Sequence, residues 1–261
     1  INAVSIVTPA ASHGELVRAA LDNGKHVLVE KPMALHVSQA EEIAKLAKEG
    51  NRTVMVGHLL QYHPAFHALL CLVNDGELGK LRYIYSNRLN FGRFRTEENI
   101  LWSFAPHDIS MILSLTGTEP NYVNAVGQSY LGSGIADTTI THLSFPSGIR
   151  AHVYVSWLHP FKEQKLVVIG DQGMAVFDDT QDWGEKLLLY PHTVKLEGEV
   201  SIAQRADARA IVVEPREPLR EECKHFLECV LHGMQARTDA GEGLRVLRVL
   251  TTAQQSLTDA L

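Results

Sequence analysis

Residues 4–29 read VSIVTPAASHGELVRAALDNGKHVLV, and this stretch decides the fold class. Val4–Val7 is a short apolar, β-branched run of the kind that forms a buried strand, and HVLV at 26–29 is a second one. Between them lies SHGELVRAALDNG, with Ser12 and Glu15 in capping-box register, apolar residues at helical spacing, and Gly24 placed to end the helix. A strand, a helix and a strand joined by short turns dictate a right-handed crossover and two parallel strands. Further along, Ser38 and Glu41 repeat the capping-box spacing, a second helical pattern closes at Gly50, and Thr53–Val56 reads as a third strand. Residues 1–62 are therefore expected to form half of a doubly wound α/β domain.

From Pro64 the rhythm changes. HPAFHALLCLVNDGELG reads as a helix, LRYIYSNRLNFG alternates as a strand with one exposed face, and a helix is expected near Pro106 to Leu115 with the proline in its first turn. Strand-like runs follow without intervening helices: Tyr122–Tyr130, Thr138–Phe145, Arg150–Trp157, Lys165–Ile169, Met174–Phe177 and Lys186–Tyr190. The turn signals PSG and GDQG between them favour antiparallel hairpins. Two helical patterns, Leu219–Leu231 and Gly243–Leu257, end the chain. Residues 63–261 thus read as a second, α+β domain with a mostly antiparallel open sheet and its last helices packed back on the core.

The chain has 261 residues and a formal net charge of -6, with no block of like charge, which argues against a nucleic-acid or anionic-membrane surface. No apolar run approaches the ~20 residues of a bilayer span, and no secretory pattern opens the sequence. A soluble, cytoplasmic protein with a small-molecule partner is expected. Cys71, Cys223 and Cys229 have neither disulfide-framework nor metal spacing. His63 and His67 stand at i, i+4 but without the HExxH glutamate, so no metal is expected.

Two segments carry chemistry. Glu30 and Lys31 follow the strand HVLV directly, and ligands of parallel sheets bind outside the carboxyl ends of strands. Pro32 restricts Lys31 to extended geometry and stiffens its presentation. In ILWSFAPHDISMIL, His107 and Asp108 stand behind Pro106; a histidine at a helix start is disfavoured as a cation and suits a general base. Arg88, Asn90 and Arg93 on SNRLNFGRFR could meet an anionic substrate, and Trp157 on the run RAHVYVSWLHPFKEQK could reach a substrate from the sheet.

VSIVTPAASH, HVLVEKP, VMVGH followed by YHPAF, GELGKLRYI and APHDIS occur here in one order, and in that combination the chain resembles the Gfo/Idh/MocA family of nicotinamide-dependent oxidoreductases along nearly all of its length. The resemblance implies a Rossmann domain that binds NAD or NADP, and a second domain whose open sheet supports a sugar site and often a homo-oligomer interface. It implies that Lys31 contacts substrate and nicotinamide, that His107 is the general acid/base, and that Thr8, Pro9, Glu30 and Pro32 flank the cofactor. Family members carry a GxGxxG turn and two strands ahead of the point where this sequence begins with Ile1, so about seventy preceding residues are expected, from ~30 residues per βαβ unit. Without them, weak dinucleotide binding and an inactive chain are expected.

Two departures bear on the substrate. Ser103 stands where many members have an Asp four residues before the catalytic His, and GHLLQY (57–62) replaces a pattern like GFNRRF. WSFAPHDIS and YHPAF are most similar to the nucleotide-sugar branch, which oxidises the C3 hydroxyl of UDP-N-acetylglucosamine or its uronic acid; on this resemblance Ser103 and Asp108 join the substrate-facing candidates. A free-sugar or cyclitol dehydrogenase and a non-catalytic cofactor-binding regulator are the alternatives.

Overall fold

β1 (Ala3–Ile6), β2 (His26–Val29) and β3 (Val54–Val56) form a parallel sheet in that order. The crossovers are α1 (His13–Asp22) and α2 (Val37–Glu49), which bury Val17, Leu21, Ile43 and Ala47. The computed structural model describes residues 1–92, 94–132 and 134–260. Neither expected capping box forms. Ser12 is in helical conformation and its hydroxyl donates to the Pro9 carbonyl at 2.9 Å, while α2 begins after an extended His36, leaving Ser38 inside the helix.

The second unit starts with α3 (Pro64–Asn74), β4 (Leu81–Phe91) and α4 (Ile100–Thr116). Then come β5 (Tyr122–Gln128), β6 (Thr138–Ser144), β7 (Arg150–Ser156), β8 (Leu158–Gly170), β9 (Met174–Asp178) and β10 (Leu187–Tyr190). With β13 (Arg209–Ala210) they make a sheet of order β13-β10-β9-β8-β4-β7-β6-β5, antiparallel except for the β4–β7 pair. α4 packs on β7, β4 and β6 and buries Leu101, Ala105, Ile109 and Ile112 there. β11 (Thr193–Glu197) and β12 (Val200–Gln204) form a separate hairpin that sequence alternation does not reveal, because both strands are exposed along almost their whole length.

α4 corrects the expected helix start. It begins at Ile100, with Asn99 as N-cap accepting from the Trp102 amide at 3.2 Å, and Pro106 lies inside it. An interior proline removes one helical hydrogen bond. Here the apolar surface the helix buries on both sides of Pro106 holds it together.

The last helices, α5 (Pro218–His232) and α6 (Ala240–Ala260), correct the domain boundary. Arg216–Gln255 belongs with Ile1–His63 in the first unit rather than with the second. The reason is the bare edge of β3. Asp239 bridges to Met55, the Thr238 carbonyl accepts from the Val56 amide at 2.8 Å, and the Thr238 hydroxyl donates to the Val56 carbonyl at 2.7 Å. Phe226, Cys229 and Ala236 then bury Met55 and Tyr62.

Candidate active site

Thr8, Pro9, Glu30, Lys31 and Pro32 all gather at the carboxyl ends of β1 and β2, the ligand side of a parallel sheet. The Glu30 amide still donates to Ile6 O at 2.9 Å, and beyond it the two chains part. Thr8, Pro9 and Glu30 are exposed, Lys31 is partly buried, and Pro32 is buried after a cis peptide. The end of β3 passes close beneath: a Cβ on Gly57 would come within 3.0 Å of Glu30 Oε2 and 3.3 Å of its Cα.

Three residues around this ledge escape a sequence reading. His13, 1% exposed, lies between the two loops. His58, directly after Gly57, holds its Nδ1 2.6 Å from Glu242 Oε2, and both groups are buried. Glu222 on α5 is 2% exposed, and burial, then the Glu30 and Glu217 charges, push its carboxyl up to about 8. The signal for Glu222 is its register: it shares the buried helix face of Phe226 and Cys229, where a charged residue is out of place.

In the second unit the candidates separate into three groups. Arg88 and Asp108 are paired with each other. Arg88 Nε donates to Oδ2 at 2.7 Å and Nη2 to Oδ1 at 3.2 Å, the Ser86 hydroxyl also donates to Oδ1, and Asp108 is 1% exposed. Neither group is open to a substrate. Ser103 and His107 lie one turn apart on α4, Ser103 buried and His107 partly so. Because α4 begins at Ile100, His107 sits mid-helix, and the positive end of the helix dipole does not act on it.

Asn90 and Trp157 each stand one residue beyond the paired Leu89 and Ser156. Trp157 is 1% exposed, with the Phe94 ring edge-on at 6.4 Å, and its indole N–H reaches no acceptor among the described residues. It is a packing residue in this arrangement, not an open contact. Arg93 lies outside the described residues.

Residues 1–58 match the family model described as the oxidoreductase family with an NAD-binding Rossmann fold, and residues 66–176 match the Gfo/Idh/MocA C-terminal domain. A solved protein of Magnetospirillum magnetotacticum MS-1 is 31% identical, with a TM-score of 0.85 over 97% of this chain and 80% of its own. The chain belongs to the Gfo/Idh/MocA family. Among its relatives is UDP-N-acetylglucosamine 3-dehydrogenase of Acidithiobacillus ferrooxidans, 26% identical over 95% of this chain and 76% of that protein. The solved structure of that enzyme superposes with a TM-score of 0.87 at 24% identity, covering 100% of this chain and 80% of that one. Another relative is scyllo-inositol 2-dehydrogenase (NAD(+)) of Bacillus subtilis, 26% identical over 89% of this chain and 68% of that one.

The Gfo/Idh/MocA chain is accordingly an NAD-binding oxidoreductase. The ledge residues fit that cofactor: an exposed hydroxyl (Thr8), an exposed carboxylate (Glu30) and the partly buried Lys31 stand at strand carboxyl ends, beside a glycine whose missing side chain lets the main chain close up against Glu30.

Proposed function

We propose that this chain is a sugar dehydrogenase using NAD or NADP, with a UDP-N-acetyl sugar oxidised at its 3-hydroxyl in cell-surface polysaccharide biosynthesis. The observation that carries the reading is the placement of Lys31 on a fastened segment at the ligand end of a parallel sheet. Nicotinamide, when bound, accepts the hydride. Lys31 stabilises the substrate oxygen as its hydroxyl becomes a carbonyl, and His107 takes the hydroxyl proton. Thr8, Pro9, Glu30 and Pro32 line the cofactor.

The substrate class rests on the Acidithiobacillus relative and on Ser103, which stands where the family resemblance leads one to expect an Asp in a free-sugar or cyclitol dehydrogenase. Arg88 lends no support to a diphosphate, since Asp108 already occupies its guanidinium. The Bacillus subtilis relative favours a second reading, a cyclitol dehydrogenase. The test is cofactor reduction by the full-length protein with NAD or NADP across a panel of UDP-sugars, free sugars and inositols. Turnover with UDP-N-acetylglucosamine or its uronic acid supports the first reading, and turnover with inositols alone replaces it by the second. The face of β4, β6 and β7 that carries Tyr83, Tyr85, His142, His152 and Tyr154 is the proposed contact with a second copy of the chain.

A further inference from the structure

We infer that His13 is a positioning residue: its ring ties the Thr8–Pro9 turn to the Lys31–Pro32 segment, so that the two loops flanking the proposed cofactor site hold one fixed spacing. The inference rests on the dehydrogenase reading for the role of Lys31. Its geometry does not depend on that reading. His13 Nδ1 lies 2.7 Å from the Pro32 carbonyl oxygen and Nε2 lies 2.7 Å from the Thr8 carbonyl oxygen, and the residue is 1% exposed.

The need for such a tie follows from the two prolines. The β1–β2 ladder ends where Glu30 N–H donates to Ile6 O, and beyond that point Pro9 and Pro32 have no amide hydrogen to continue it. Two carbonyls are thus left without the main-chain donors that a sheet would supply. Histidine can place a donor at each end of one rigid ring. A carbonyl oxygen only accepts, so the ring N–H donates to the carbonyl it faces while the rigid ring spans the gap to the other.

The anchor of the ring is α1 rather than either loop. His13 is the first residue of that helix, and Gly14 beside it lets α1 approach α2 so closely that a Cβ would lie 3.0 Å from the Gln39 side-chain oxygen. The Thr8 side is closed on itself: Thr8 Oγ1 and Ser12 Oγ are 2.7 Å apart, and Ser12 donates to Pro9 O from both its amide and its hydroxyl. Pro32 is the residue next to Lys31. Fixing its carbonyl therefore fixes the main chain from which the lysine projects.

The test has two independent arms. In the 15N spectrum of histidine-labelled wild-type protein, the ring N–H of His13, assigned by its absence in His13→Gln, should exchange with solvent far more slowly than that of an exposed histidine. A ring N–H that exchanges as fast as that of an exposed histidine would overturn the clamp, whatever the enzyme does. In the kinetic arm, His13→Gln keeps a donor to one carbonyl only. Its kcat should fall by about 100-fold, the size of effect a misplacement of ~1 Å can have. KM for the sugar should stay within about twofold, as expected for lost positioning rather than lost binding. Wild-type kcat in a folded His13→Gln variant would overturn the inference. Absence of turnover in the wild type with every sugar tested counts instead against the dehydrogenase reading, and the nitrogen spectrum still decides the clamp.

Discussion

Arg88 and Asp108, on β4 and α4, form a bidentate ion pair in which Nε and Oδ2 are 2.7 Å apart and the carboxylate is almost completely buried. The pair fastens the helix that carries His107 to the central strand of the larger sheet. Among the described residues, Arg88→Met leaves the buried Asp108 charge with the Ser86 hydroxyl alone and loses the fork, which should destabilise the protein by about 3–5 kcal/mol. The double substitution Arg88→Met with Asp108→Leu should be milder than Arg88→Met alone, because it leaves no bare charge. Thermal denaturation of the three proteins checks this. An unchanged melting temperature in Arg88→Met would refute it.

Glu222 makes stability depend on pH. Its carboxyl titrates near 4.5 when solvated and at about 8 in the folded chain, because burial and the Glu30 and Glu217 charges disfavour ionisation. The folded state therefore binds the proton more tightly than the unfolded state. This contribution is fully present below about 4.5 and is lost as pH rises to about 8. Glu222→Gln, which stays neutral, should melt higher than the wild type, by an amount that grows across that window and reaches a few kcal/mol at its upper end. Melting curves at pH 5 and 8 suffice, and a difference that is equal at the two pH values rejects the assignment.

Lys31→Ala and His107→Gln remove the two groups assigned to the reacting oxygen. Each should lower kcat by about 10²–10⁴ while leaving the far-ultraviolet dichroism unchanged. A non-catalytic regulator would show no turnover in any of the three proteins.

Gly57→Ala places a methyl group 3.0 Å from Glu30 Oε2 and 3.3 Å from its Cα. The Glu30 side chain is exposed and can swing away, but its main chain cannot. The segment from Glu30 to Pro32 should shift by a few tenths of an ångström. Affinity for NAD, read by fluorescence titration, should weaken several-fold with little change in melting temperature. Equal affinity would show that Glu30 does not border the cofactor.

Much of the parallel half is legible in the sequence. HVLV is a strand over the same four residues that the pattern marks, because its neighbours Lys25 and Glu30 break the apolar run sharply. The placement of Lys31 at a strand end follows from the same boundary. The helix around His107 is misread because Pro106 is most familiar at a helix start, whereas here burial on both sides carries the helix through it. The Ser12 capping box is misread because the hydroxyl finds a nearer partner in the Pro9 carbonyl. His13 leaves no trace at all, since both of its partners are main-chain atoms and any residue could supply a carbonyl. Arg88 reads as an anion site until folding brings in Asp108, twenty positions away.

The seam along β3 has a consequence for biosynthesis. Tyr62 meets Thr238 across 176 positions, and His58 meets Glu242 across 184. At ~5–20 residues per second, roughly ten to forty seconds separate the emergence of the two halves of that seam from the ribosome. During that interval the strand edge and Met55 await their cover, while the intervening sheet is already being made. The nascent chain thus covers the β3 edge only after the intervening sheet has emerged, and a chaperone that masks β3 during translation would shield an edge open to misassembly.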